Sequence, residues 1–268
     1  MKLEHGVVLY DKPPAISSHD AVLRIRRAAG RGVKVGHAGT LDPFATGLLL
    51  VLVGRATRVQ RFLMELPKSY EAVARFGAIS STGDPEGEIV ETGVVPDGQL
   101  ALPTGVIRQR PPAFSAVKVG GRRAYALARA GARDLALPER EIEVYRFEET
   151  WREGDRRGFA IACSSGTYVR SLIASLGDAY CEQLRRVAIG GFSVEDSDPE
   201  RVIPLNDALA FLPEVRLDSV LAARAAHGVA VPADARGTVR LTDDRGLIAL
   251  AEPVAGERLV KPIVGLRG

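Results

Sequence analysis

Leu48 to Val53 is the most apolar run of the chain, and the stretch before it, Gly36 to Gly47, carries three glycines, a proline, one histidine and one carboxylate. This contrast predicts a tight polar loop held by a buried strand. Upstream, Val7 to Tyr10 predicts a short buried strand that ends in a turn over residues 11–14. Ser17 or Ser18 then predicts the cap of a helix with Val22, Ile25 and Ala29 on one face and Gly30 as its stop. Helical spacing returns at Val59, Phe62, Leu63 and Leu66, just before Pro67. Tyr70 to Ile79 alternates as a strand does, residues 80–88 form a polar turn cluster, and Ile89 to Val95 reads as the return strand. Glu141 to Glu148 and Phe159 to Cys163 predict further strands. Tyr168 to Ile173 opens a helix with Leu172, Ile173 and Leu176 inward, and Leu184 to Phe192 reads as a continuation of that unit. A boundary falls near Pro213. Beyond it, Asp218 caps a short helix stopped by Gly228, and Val229 to Val231, Thr238 to Thr242 and Leu247 to Ala251 are candidate strands of a small β-rich appendage.

Composition narrows the class. A chain of 268 residues suits one large domain, or one large and one small. Lys and Arg total 36 against 33 for Asp and Glu, so only the placement of the charge can point to a nucleic-acid partner. That placement is uneven. Arg108, Arg110, Lys118, Arg122, Arg123, Arg129 and Arg133 fall in a stretch without an acidic residue, interleaved with Phe114 and Tyr125. A run of one sign is often a solvated face. With its aromatics, Pro111-Pro112 and Gly120-Gly121, this one also suits an arm that clasps a polyanion. The two cysteines, Cys163 and Cys181, make neither a zinc site nor a disulfide framework, which fits a reducing compartment. No signal-peptide layout and no membrane-spanning apolar run is seen, so a cytoplasmic protein is the expectation.

Candidate chemistry centres on Asp42, the one ionisable carboxylate of the polar loop. Pro43 biases it away from helical backbone and fixes how its side chain is presented. The same residues also fit a plain Asp-Pro turn, with Asp42 bonding its own backbone. Tyr70 reads either as edge packing or as a site residue, and Asp84 most simply as a turn former. Arg170 stands at a helix start, where a cation is unfavourable, so a carboxylate partner is expected for it.

Motifs spread along most of the chain carry a resemblance. They are Asp11-Lys12-Pro13-Pro14 with Ser17-Ser18; Gly36-His37 through Asp42-Pro43 to Ala45-Thr46-Gly47; Lys68-Ser69-Tyr70; Gly77 through Asp84 and Gly87; Gln109 through Lys118; Tyr125 through Arg129; Cys163 through Arg170; and Leu184-Arg185-Arg186. In this order they resemble the TruB family of tRNA pseudouridine synthases. The resemblance implies an α+β fold, with a mixed, largely antiparallel sheet and flanking helices over residues 1–213, including an RNA-clasping arm at about 108–133. It implies, more weakly, a small PUA-like RNA-binding domain over 214–268. The implied reaction isomerises uridine to pseudouridine at position 55 in the T-loop of tRNA, with no metal or organic cofactor. The implied partner is tRNA at its T-arm and elbow, met by a monomer that needs no protein partner and no membrane.

The same resemblance assigns roles. Asp42 is the catalytic aspartate and Arg170 the arginine that pairs with it and keeps it ionised. Tyr70 stacks on the target base, with its hydroxyl placed to help remove the C5 proton. Tyr168 is a second site tyrosine in a supporting hydrogen-bond role. His37 lies near the displaced loop bases. Gly39, Asp84, Lys118, Arg122, Arg123, Arg129 and Leu184 complete the substrate contacts, and the loop glycines let backbone approach the flipped nucleotide. Ser80 and Phe114 depart from the usual threonine and tyrosine, and the stretch between Val95 and Arg108 is short, as if a helix were trimmed. Two other readings share these motifs: a non-catalytic tRNA-binding or tRNA-folding protein, and a guide-RNA-dependent pseudouridine synthase. Replacing Arg122 and Arg123 together by alanine is expected to weaken tRNA binding and to flatten its salt dependence by about one logarithmic unit per lost phosphate contact, measured by binding titrations at several salt concentrations.

Overall fold

The computed structural model describes residues 5–112, 114, 118, 119, 122, 123 and 137–267. Its centre is the apolar run, which forms the strand β3 (Thr46–Val53). Both faces of β3 are covered. Leu48, Leu50 and Leu52 pack with Val7, Leu9, Phe62 and Leu63, while Leu49, Val51 and Val53 pack with Ala21, Val22 and Ile25. A strand buried on both sides has no polar face to alternate with, hence the unbroken apolar run. The strand β1 (Gly6–Lys12) pairs antiparallel with it, continuing through Asp11 and Lys12, which the sequence pattern had assigned to the turn. The helix α1 (Ser18–Ala29) is opened by Ser17, whose hydroxyl accepts from the Asp20 amide while the Asp20 carboxylate accepts from the Ser17 amide. This reciprocal cap resolves the choice between the two serines.

The chain then adds β2 (Val35–Ala38), a 3-10 turn over Gly54–Val59, the short helix α2 (Gln60–Glu65), β4 (Lys68–Phe76), β5 (Ala78–Ser80), β6 (Ile89–Glu91) and β7 (Gly105–Gln109). Two-residue strands β8 (Lys118–Val119) and β9 (Arg122–Arg123) pair with each other. β10 (Arg140–Glu153), β11 (Arg156–Cys163), helix α3 (Val169–Ala174), β12 (Ala179–Ile189), β13 (Phe192–Ser193) and β14 (Ile203–Pro204) complete the first unit. One ten-stranded sheet runs in the order β14-β1-β3-β12-β4-β11-β10-β7, with β2 also on β3 and β13 also on β12. Its pairs are antiparallel except β12 with β3. This is the mixed, largely antiparallel sheet with flanking helices that was expected.

Three local expectations need correction. β12 was read as part of the preceding helical unit. It is instead a long strand at the middle of the sheet, with Arg186 buried within it. Charged side chains among its apolar ones hide the period of two. β4 lies between β12 and β11, so Tyr70 sits on an interior strand and not at an edge. The Tyr70 to Ile79 strand is broken at Gly77, which has φ +74°, and the return strand shortens to Ile89–Glu91 in a separate ribbon with β5. The spacing from Arg123 to Ala130 also predicts a helix; Arg123 belongs to β9, and residues 124–130 lie outside the described residues.

After the helix α4 (Leu205–Ala208), a second sheet is built from β15 (Glu214–Arg216), β16 (Val231–Pro232), β17 (Val239–Asp243), β18 (Gly246–Pro253) and β19 (Leu259–Gly265), with helix α5 (Ser219–Ala226) capped by Asp218. Its order is β15-β17-β18-β19-β16, and Leu241, Ile248, Ala222 and Ala225 share its core. Leu250 and Leu266 instead join the cluster beneath β3. Arg55 and Arg58, on the 3-10 turn, donate to the Leu266 and Gly265 carbonyls. Among the described residues no helix is long and apolar enough to cross a membrane. Leu50→Ala, in the doubly covered strand, is expected to lower unfolding free energy by about 2–5 kcal/mol through lost burial and a residual cavity, read from the shift of a denaturant midpoint.

Candidate active site

The polar loop is shorter than its glycine-rich stretch. Gly36 and His37 belong to β2, and Thr46 and Gly47 open β3, leaving residues 39–45 as the turn between paired strands. This turn is tied down along its length. The Leu41 amide donates to the Ser18 hydroxyl at 2.9 Å, and that hydroxyl donates back to the Leu41 carbonyl at 3.0 Å. The Pro43 carbonyl accepts from the Ala15 amide at 3.0 Å and from the Lys12 ammonium at 3.2 Å. Leu41 and Ala45 are buried in the core under the sheet. Asp42 is therefore offered from a backbone with little freedom.

Arg170 meets it from the first turn of α3. Arg170 Nε lies 2.9 Å from Asp42 Oδ2, although the N–H is not directed at that oxygen, so the contact is a charge pair and not a hydrogen bond. Arg170 Nη1 donates to Asp84 Oδ2 at 2.8 Å and to the Thr82 carbonyl at 2.7 Å, and Nη2 donates to the Phe114 carbonyl at 2.8 Å. Only 3% of the arginine side chain is exposed, against 5% for Asp84 and 34% for Asp42. The expected carboxylate partner is thus two carboxylates, of which Asp42 alone reaches solvent to any extent.

That sharing sets the protonation chemistry. Burial pushes the Asp42 carboxyl above its ordinary value, the charge of Arg170 pulls it back, and the charge of Asp84 pushes it up again. The net direction is upward. Arg170 thus moderates the effect of burial on Asp42 without fully offsetting it. Burial also raises the Tyr70 phenol, opposed by nearby Arg186. The hydroxyl is a neutral phenol near pH 7 and holds its own proton. Lys12 is fully buried, with its ammonium on the carbonyls of Pro13, Ile16 and Pro43. Burial lowers it to about 8 while Asp42 counteracts.

A family model described as "TruB family pseudouridylate synthase (N terminal domain)" matches residues 26–169, more than half of the chain and the part that carries Asp42, Tyr70 and Asp84. The chain belongs to the TruB family. The relative named tRNA pseudouridine synthase B from Thermobifida fusca is 42% identical, over 98% of this chain and 99% of that one. Its namesake from Bacillus licheniformis is 35% identical, over 90% of this chain and 88% of that relative. Among solved structures, the crystal structure of a Cbf5-Nop10-Gar1 complex is similar with a TM-score of 0.72 and 25% identity, over 99% of this chain and 85% of that chain.

Within this TruB-family site the anticipated residues divide. Asp42, Arg170 and Asp84 meet directly. Asp84 is neither a free turn former nor open to a ligand, because its second oxygen accepts from the Glu86 amide and the Thr82 hydroxyl. Ser80, the departure from threonine, still donates to the Asp84 carbonyl at 2.6 Å. Tyr168 is the residue before α3, its backbone paired both ways with the Gln109 side chain and its ring under the Arg140 guanidinium, 4.9 Å away. Leu184 is buried in the cluster that holds Leu41 and Ala45. His37 is half-buried on β2, with its carbonyl accepting from Gln60 Nε2 at 2.7 Å. The loop glycines face protein: a Cβ on Gly47 would lie 2.3 Å from the Arg186 carbonyl, and Gly39, with φ +90°, offers its carbonyl to Arg186. At Gly47 the missing Cβ is thus a demand of the protein's own backbone. The side chains of Lys118, Arg122 and Arg123, and Arg129 entirely, lie outside the described residues.

Sequence reading passed over Lys12, Ser18 and Arg186 as individual players, though each stood in a quoted motif. Their signal is available only in retrospect, as polar residues inside segments that otherwise read as core. No group of His, Cys, Asp and Glu able to hold a metal ion occurs among the described residues. Asp84→Asn removes a negative neighbour and leaves Arg170 to Asp42, which favours the ionised form. The Asp42 pKa is therefore expected to fall, as followed by carboxyl NMR titration; a rise would contradict the shared-arginine account.

Proposed function

We propose that this chain isomerises uridine to pseudouridine at position 55, in the T-loop of tRNA, with Asp42 as the catalytic carboxylate. The observation that carries this is the charge pair of Asp42 with buried Arg170 on a loop anchored to both β1 and α1. The reaction breaks the bond from uracil N1 to the sugar's anomeric carbon, joins that carbon to C5 and removes the C5 proton. An ionised carboxylate can either attack the anomeric carbon or assist a glycal-type route, and Arg170 favours the ionised state in both. Tyr70 stacks on the extruded base. Its phenol can accept the C5 proton only while passing on its own. Tyr168 supports the site, with His37 and Gly39 on the side of the displaced bases.

Extruding the base costs a few kcal/mol, of which stacking on Tyr70 returns about 1–3 kcal/mol. Phosphate contacts from the arm at about 108–133, through Lys118, Arg122, Arg123 and Arg129, supply the remainder. Residues 1–213 act as the catalytic unit and 214–268 as a small PUA-like RNA-binding unit, a reading supported by the separate core of the second sheet. The protein works as a cytoplasmic monomer on the tRNA T-arm and elbow, without cofactor, guide RNA or protein partner.

A guide-dependent reading has one specific observation in its favour, the likeness to Cbf5 in a complex with other proteins. A single experiment separates the readings. The purified chain, given unmodified tRNA transcript and no guide, is expected to form pseudouridine at one T-loop uridine. Asp42→Ala is expected to abolish this, by at least about 1,000-fold, while tRNA affinity changes little; full turnover by that variant overturns the assignment.

A further inference from the structure

Arg186 has no place in the reaction as set out above, yet it is a buried cation engaged with both ends of the loop. It lies on β12 with 2% of its surface exposed. Its Nε donates to the Leu48 carbonyl at 2.7 Å, and its Nη2 donates to the Gly39 carbonyl at 3.0 Å. Those two carbonyls stand on either side of Asp42, one where the chain leaves β2 and one where it has entered β3. One planar guanidinium therefore closes the base of the loop.

The backbone around this latch is shaped to it. Arg186 pairs with Gly47 across the one parallel junction of the large sheet, and Gly47 has φ +101°. A Cβ there would strike the Arg186 backbone, and one on Gly39 would lie 3.6 Å from Arg186 Nη1. On its other side, β12 pairs with β4 so that Arg186 stands opposite Tyr70. The same residue thus adjoins the loop that presents Asp42 and the strand that presents Tyr70.

Stability alone does not explain an arginine here. No carboxylate of the described residues lies within 4.0 Å of its guanidinium, in contrast to Arg170 and Arg185. A buried cation with no carboxylate partner is costly, and an apolar side chain of similar volume commonly serves a core as well or better. What the guanidinium supplies is a rigid fork that holds two carbonyls in one plane, which an ammonium cannot reproduce.

We propose that Arg186 is a positioning residue, which latches the two ends of the Asp42 loop to the strand beside Tyr70 and so fixes the carboxylate and the phenol relative to each other. The proposal rests on the reading of Asp42 as the catalytic carboxylate. A displacement of about 1 Å in a reacting group costs on the order of 100-fold in rate, so a loosened latch is visible in the chemical step.

The test uses Arg186→Lys and Arg186→Met in the full chain, with unmodified tRNA transcript. Three quantities are read: the single-turnover rate at saturating enzyme, the tRNA dissociation constant and the thermal midpoint. The expected result is a rate loss of about 100-fold in both variants, with affinity within about threefold and a thermal midpoint in Arg186→Met equal to or above that of the parent. A rate within threefold of the parent overturns the proposal, as does a rate loss that merely tracks a loss of folded protein. Should neither variant fold, Arg186→Gln keeps a polar side chain in place while removing the guanidinium fork. The same split between rate and affinity is then expected, and an unchanged rate overturns the proposal. Asp42→Asn runs beside them: activity in that variant removes the reading of Asp42, whereas an inactive Asp42→Asn with a fully active Arg186→Lys removes the latch alone.

Discussion

The site depends on one buried cation divided between two anions. Arg170 touches the Asp42 carboxylate with Nε, the Asp84 carboxylate and Thr82 carbonyl with Nη1, and the Phe114 carbonyl with Nη2. Three segments distant in sequence therefore converge on one side chain. Burial pushes the Asp42 carboxyl up, the divided arginine offsets this only in part, and the charge of Asp84 adds to the rise. Asp84 carries the structural part of this arrangement. It fixes the guanidinium from the buried side and leaves Asp42 as the carboxylate that faces the open side.

Around this centre the protein spends buried polar groups on backbone carbonyls. Lys12, Lys68 and Arg186 are all buried and all donate to main-chain oxygens. Lys68 serves the end of α2, and Lys12 and Arg186 serve the Asp42 loop and the strands that flank it. Satisfying those oxygens with long cationic side chains turns connections that would otherwise move into fixed parts of the scaffold. The Asp42 loop receives this treatment from Lys12 and Arg186 and a further tie from Ser18.

The 3-10 turn and α2 form a wall common to both sheets. Gln60 reaches the carbonyl of His37 on β2, and Arg55 and Arg58 reach the carbonyls at the end of β19. Leu250 and Leu266 fill in beneath, in the same cluster as Leu48 and Leu50. The strand that carries the loop into the core is thus in direct contact with the second sheet, so the two units are joined by packing as well as by covalent chain.

Much of the local structure was legible from side-chain pattern. The unbroken apolar run at Leu48 to Val53, a serine cap for α1, and the Asp218 cap of α5 each follow from neighbours within a few residues, because burial on both faces and capping are short-range demands. The need of Arg170 for a carboxylate was likewise readable, since a cation at a helix start is unfavourable on local grounds. The motifs as an ordered set were enough to point to the family. What tertiary structure alone decided is which distant groups share a partner. Asp84 looked like a turn residue because its turn is local and its arginine is not. Tyr70 looked free to be an edge residue because strand order is invisible along the chain. β12 escaped notice because its arginines are neutralised or sheltered by oxygens from other segments, and without those oxygens Arg186 reads as surface charge. The glycines of the loop followed the same rule. At Gly47 the missing Cβ is required by the backbone of Arg186, almost 140 residues further on, and only the folded chain brings that requirement to it.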